Sequence, residues 1–186
     1  MAPVVTTLIS YHPAILVPMQ PLKTFAEIGM EFERIAALIS AVGHPAFPSL
    51  GRTSVFQESF VEIDARGYHL VFSERGVERG RTVTPDLDEL MYQVFDAVTF
   101  QLASTYELTH RIESQDPRRI MFRHQQELLA KISAPWAARK ALSHETLLQR
   151  APFDDMAMAR AILSTKIGWP RACKEFPLPE SSAVPH

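Results

Sequence analysis

Acid–base or metal chemistry in this chain would have to come from its seven histidines, His12, His44, His69, His110, His124, His144 and His186. No two of them form a His-Glu-x-x-His arrangement, and the lone Cys173 offers no thiolate cluster, so the spacing supports no zinc site and no disulfide. His110 and His124 flank Asp116 and could meet across a helical hairpin, as an imidazole–carboxylate pair requires. Edge histidines on a surface explain the same spacing. The run Arg75-Gly76-Val77-Glu78-Arg79-Gly80-Arg81 is glycine-rich, but it lacks the Gly-Lys-Ser/Thr ending of a phosphate loop and precedes a strand. There is no Gly-x-Ser-x-Gly elbow. Three Arg-Gly pairs, at Arg66, Arg75 and Arg79, invite an RNA reading. Glu74 and Glu78 interrupt the positive charge, however, which favours a charged hairpin. Asp154-Asp155 and the group Asp86, Asp88 and Glu89 fall where helices begin, so capping explains them.

The elements that must position these groups read as an α+β fold. At 186 residues with 46% hydrophobic content, the chain holds one ordinary core. Residues 1–23 carry four prolines and read as an extended segment; 24–170 read as a single domain; 171–186 read as a proline-containing tail. Thr24 and Glu27 form a capping box for a helix that carries Phe25, Ile28, Phe32, Ile35, Ala36, Ile39 and Val42, with Gly43 as its stop.

Thr53–Asp64 reads as a strand with imperfect alternation, covered on both faces or shifted by a bulge. Asp64–Gly67 is a turn, and Tyr68–Ser73 is a second strand. Gly76 and Gly80 bracket the next connection, before a third strand at Arg81–Thr84. This predicts a small antiparallel meander of about three strands.

Thr84 can cap the next helix, with Pro85 at its first position. Further helices start at Asp116-Pro117, at Ala134-Pro135-Trp136 and after Pro152-Phe153-Asp154-Asp155, the last stopped by Gly168 and Pro170. That makes four helices after the sheet. Strands clustered before helices argue α+β.

Charge narrows the partners. Nineteen basic and 21 acidic residues give a net charge of −2, which provides no whole-chain argument for nucleic acid or an anionic membrane. The first long apolar run, Ala14–Val17, is broken by Pro13 and Pro18. The reading is therefore of no signal peptide, no membrane span and a cytoplasmic location, with no cofactor implied. The charge is uneven: Glu58 to Glu89 holds eight acidic and four basic residues, while Arg111 to Lys140 holds seven basic and three acidic. A bipolar docking face would speed encounter with a partner. Trp136, Trp169 or Phe176 could seal a homodimer or complete the core.

Well-ordered elements without a set of reactive groups point to a domain that works by binding. The residues Tyr68-His69-Leu70-Val71-Phe72, Ser73-Glu74-Arg75-Gly76, Thr84-Pro85-Asp86-Leu87-Asp88-Glu89-Leu90-Met91-Tyr92, Gln115-Asp116-Pro117-Arg118-Arg119 and Ala151-Pro152-Phe153-Asp154-Asp155 carry a family resemblance. The chain resembles the immunity protein 63 family of bacterial polymorphic toxin systems, over about Tyr68 to Gly168. The resemblance implies a non-enzymatic cytoplasmic antidote. It would bind the enzyme domain of a cognate toxin, delivered by a contact-dependent or type VI route, and occlude or inactivate it. Glu74, Arg75, Glu78, Arg79, Arg118, Arg119, Asp154 and Asp155 are the candidate toxin-binding residues. For those that match the family pattern, Glu74, Arg75, Arg118, Arg119, Asp154 and Asp155 together with Asp86 and Asp116, the favoured role is holding the fold, with carboxylates at helix starts and arginines paired to them, and the toxin interface is the alternative. Two other classes remain: an enzyme using His110, His124 and Asp116 to reverse a toxin modification, and a nucleic-acid-associated regulator using the basic helices.

Overall fold

The structure, a computed structural model, describes residues 21–52 and 58–179. Helix α1 (Phe25–Leu38) starts at its capping box: the Thr24 hydroxyl accepts from the Glu27 N–H, and the Glu27 carboxylate accepts from the Thr24 N–H at 2.8 Å. Ile28, Phe32, Ile35 and Ala36 are buried, whereas Phe25 and Val42 are exposed. The helix ends before Gly43, contrary to the sequence reading. Ile39 is the C-cap and Ser40 takes a left-handed φ of 56°. The N–H groups of Ser40 and Ala41 bond back to the carbonyls of Ala37 and Ala36. This is a Schellman closure with serine where glycine is usual.

Four strands form one sheet: β1 (Ser49–Leu50), β2 (Ser59–Asp64), β3 (Gly67–Glu74) and β4 (Val77–Thr84), in the order β1-β2-β3-β4. β2 to β4 are the antiparallel meander. β1 is a fourth strand absent from the sequence reading, parallel to β2 at Phe60 and Val61; two residues carry no alternation to read. Thr53 to Gln57 of the first expected strand lie outside the described residues. Adjacent Phe60 and Val61 are both buried, which is why the alternation of β2 failed. Gly67 at the β2–β3 turn is required: a Cβ there would lie 2.3 Å from the Thr84 carbonyl oxygen. The β3–β4 connection is Arg75-Gly76 alone, both with positive φ as a type I′ hairpin needs. Gly80 belongs to β4 rather than to the connection. It pairs with Phe72 while Glu78 pairs with Ser73, which leaves Arg79 as the extra residue of a bulge.

Helix α2 (Leu87–Thr109) is capped by Asp86 rather than Thr84. The Asp86 carboxylate accepts from the Asp88 N–H at 2.9 Å, and the Thr84 hydroxyl accepts from the Asp86 N–H at 3.0 Å. Thr84 is still in β4, so Pro85 bridges strand and helix. Helix α3 (Pro117–Ile132) starts at Asp116 with Pro117 in its first turn. Ser133 ends α3 and caps α4 (Ala134–Arg150). After α5 (Ala157–Ile167), Pro170 does not stop the chain. It sits in the first turn of α6 (Trp169–Glu175), where its missing N–H is not needed. Gly168, at φ 82°, makes the break. Five helices therefore follow the sheet, one more than expected.

The core lies where α2 crosses the inner face of the sheet. Ile28, Phe32 and Ile35 of α1, Tyr68 and Leu70 of β3, Leu90, Phe95 and Val98 of α2, Leu129 of α3 and Trp136 of α4 share it. Phe47 packs on Phe32 and Phe95 with ring centroids 5.6 and 5.3 Å away. Trp136 is buried and donates from Nε1 to Asp88 at 3.2 Å, so it completes the core. Trp169 is exposed.

Candidate functional site

Two clusters gather the charged residues singled out in the sequence. The first is a corner where the start of α3 meets the turn between α4 and α5. Asp116 is buried, and its carboxylate takes four kinds of donor. It accepts the N–H of Arg118 at 2.9 Å as a helix cap, the N–H of Asp154 at 2.8 Å, and the Nε and NH2 of Arg118, the last at 2.6 Å. The exchange is reciprocal: the N–H of Asp116 donates to the Asp155 carboxylate at 2.9 Å. Arg118 also donates to the carbonyls of Ala151 and Pro152, at 2.9 and 2.7 Å. Arg119 pairs with Asp155 at 2.9 Å and lies 4.2 Å over the Phe153 ring. Burial pushes the Asp116 carboxyl up, but the Arg118 guanidinium and the two N–H donors outweigh it and hold its pKa below the usual value.

The corner continues into Arg160, which is 1% exposed. It makes a two-point contact with Asp154 at 2.6 and 3.0 Å, then donates to the carbonyls of Phe176 at 2.6 Å and Pro177 at 2.7 Å. Sequence reasoning passed over Arg160. The available signal was its isolation: it is the only charge among alanine, methionine and isoleucine from Ala157 to Thr165.

The second cluster is the tip of the β3–β4 hairpin. Glu74, Arg75, Glu78 and Arg79 are all exposed. Arg79 pairs loosely with Glu74 at 3.2 Å. Behind the tip, Arg81 donates to Glu78, to Glu62 and to His69 Nδ1 at 2.8 Å. Arginine can only donate, so His69 Nδ1 accepts and its Nε2 carries the proton, which it gives to Asp64 at 2.8 Å. His69 is 1% exposed. An imidazole with both nitrogens engaged and no access to solvent orders the sheet.

The structure does not bring the three groups of the suggested acid–base site into contact. His110 and His124 stack on opposite sides of a shared contact, Tyr106, at ring centroid distances of 3.8 and 3.9 Å. Asp116 is not their partner: its carboxylate is occupied by Arg118 and Asp154. His144, which the sequence did not single out, is buried against Phe122 at 3.8 Å, and its Nδ1 accepts from Gln126 Nε2 at 2.9 Å. Burial, with nearby Lys140, pushes its pKa down to about 4. Together with Arg119, Arg123, Leu148 and Phe153 it lines an open cleft of about 490 Å³ between α3 and α4. Among the described residues, no group of three or more His, Cys, Asp or Glu side chains is placed to hold a metal, and no helix is long and apolar enough to cross a membrane.

The family model described as immunity protein 63 matches residues 64–146, from the end of β2 through most of α4. The match supports the resemblance seen in the sequence and implies an immunity protein. It takes in the hairpin tip and the start of α3. It stops before Ala151–Asp155, which the sequence resemblance had included, and α1, α5 and α6 lie outside it. No curated protein and no solved structure matches the chain.

Proposed function

We propose that this chain is a cytoplasmic immunity protein that binds a cognate bacterial toxin and holds its enzyme domain inactive. The observation that carries the reading is the family match over residues 64–146. The way polar side chains are used supports binding over catalysis. The Asp116 carboxylate is saturated by fold contacts, and both nitrogens of His69 are engaged. The toxin would be the C-terminal enzyme domain of a polymorphic or type VI effector, neutralised by occlusion of its active site. An interface of about 1,600 Å² with a few apolar or arginine anchors is the size such a complex needs.

Within that reading the eight candidate residues divide. Glu74, Arg75, Glu78 and Arg79 are exposed at the hairpin tip, Glu78 paired with Arg81 and Arg79 with Glu74, and suit the charged rim of an interface, where charge steers encounter more than it adds affinity. Arg118, Arg119, Asp154 and Asp155 spend their hydrogen bonds inside the molecule and act on a toxin by fixing the corner's shape.

The test is co-expression with the toxic polypeptide encoded beside this gene. Restored growth and a co-purifying complex are the expected outcome. Unrelieved toxicity with no complex would reject the proposal.

A further inference from the structure

The C-terminal helical hairpin has an unusual economy. α5 packs on α6, and the only buried residue in α5 is Arg160. The pair is fastened to the body by the polar corner: Arg160 to Asp154, the Asp154 N–H to Asp116, and Asp155 to Arg119. Its apolar surface is not used for that attachment. Met158, Ile162, Ile167 and Trp169 are exposed, Ile162 at 55% and Trp169 at 52%. Met158 and Ile162 are one helical turn apart, so they share a face of α5, and Lys166 follows on the same face. Exposed apolar side chains occur on other elements too, among them Met30, Leu108 and Leu142, but here they neighbour one another on one face beside a cation, and a contiguous apolar patch with a polar rim marks an interaction surface.

We infer that this hairpin is a docking surface for an acidic, apolar face of a partner protein, the toxin of the proposed function, on which the inference rests. Charge selects the partner. The charged side chains exposed on α5 and α6 are Lys166, Arg171 and Lys174 against the single carboxylate of Glu175. A two-fold dimer would bring this patch against its own copy, cation facing cation. An acidic face is complementary to it. The hairpin also lies outside residues 64–146, the part matched by the family model. Recognition of one particular toxin is expected to reside on elements added to a shared scaffold, because each pair needs its own complementarity.

The experiment titrates the full chain with a catalytically silenced form of the toxin encoded beside it, following heat and association rate. Ile162→Asp and Trp169→Ala should each weaken affinity by about 30-fold or more. The triple reversal Lys166→Glu, Arg171→Glu and Lys174→Glu should slow association by about 10-fold and flatten its salt dependence. All five positions are exposed, so circular dichroism melts of the variants should overlay the wild type. Unchanged affinity in both apolar variants overturns the inference and leaves the immunity reading standing. A wild-type dimer that Ile162→Asp dissociates without loss of toxin affinity overturns it in favour of a second copy. Loss of binding to anionic phosphatidylserine vesicles in Ile162→Asp, again with toxin affinity intact, overturns it in favour of a membrane surface. A wild-type chain that neither binds the toxin nor relieves toxicity removes the immunity reading, and this inference with it.

Discussion

The corner at the start of α3 and the tip of the β3–β4 hairpin are built from the same residue types, carboxylates beside arginines, and the structure uses them in opposite ways. At the corner, Asp116 is 5% exposed and every contact closes within the molecule. At the tip, Arg79 and Glu74 are each 61% exposed at the side chain and meet at 3.2 Å. Removing one partner of a buried pair strands a desolvated charge, whereas an exposed pair gains and loses little. Burial, rather than residue type, decides which charges hold the fold and which are available to a partner.

The largest expected effect is at Asp116. Asp116→Ala removes the acceptor of two N–H groups, one of them the cap of α3, and the partner of Arg118, and should lower the urea-unfolding free energy by about 3 kcal/mol. A loss comparable to that of a surface pair would erase the contrast between corner and tip.

Acid should bring out the same contrast in a histidine. The folded pKa of His144, about 4, lies below the ordinary value of 6.5, so the unfolded chain takes up the proton first. Its contribution to stability is therefore complete above pH 6.5 and falls as the pH drops toward 4, by about 1.4 kcal/mol per pH unit at most. Urea unfolding at pH 7 and pH 5 should show that loss in the wild type and show it reduced in His144→Phe. Equal losses in both would place the titration elsewhere.

Arg160→Met sharpens the comparison by separating the hairpin from the core. Protection from hydrogen exchange in α5 and α6 should drop while that of α2 and β3 stays. A uniform loss would mean that the corner and the core unfold as one unit.

The smallest effect is expected at the tip. Glu74→Ala and Arg79→Ala should leave the urea midpoint unchanged and alter only the rate at which the toxin associates. A shifted midpoint would show that the tip is structural after all.

Much of the fold was legible because helix starts are local chemistry. Thr24 with Glu27, Asp116 before Pro117 and the start Ala134-Pro135-Trp136 are short-range arrangements, and each appears at its place, with Ser133 supplying the cap of α4 that the sequence reading had not named. Misplaced boundaries came from choices between equally good local signals. Thr84 and Asp86 both cap well, and the extended backbone of β4 reaching to Thr84 gave the role to Asp86. Gly80 looked like a turn residue, but the Arg75-Gly76 pair alone closes the hairpin and Gly80 is taken by the bulge. The two-residue β1 is too short to show any pattern. At the two charged clusters, the sequence singled out carboxylates and arginines without distinguishing corner from tip, and it passed over Arg160.

By itself, the sequence determined the order of α1, β2 to β4 and α2 to α5, their α+β class and the capping groups of α1 and α3, because those depend on neighbours a few residues apart; Asp154 and Asp155, read as caps, leave α5 without a side-chain cap and bond to Arg160 and Arg119 instead. Only the tertiary structure decided that Asp116 meets Asp154, 38 residues away, that Arg160 is buried under the carbonyls of Phe176 and Pro177, and that Trp136 joins the core while Trp169 faces solvent. Each of those outcomes depends on which surfaces the chain closes on one another, and local composition does not encode that closure.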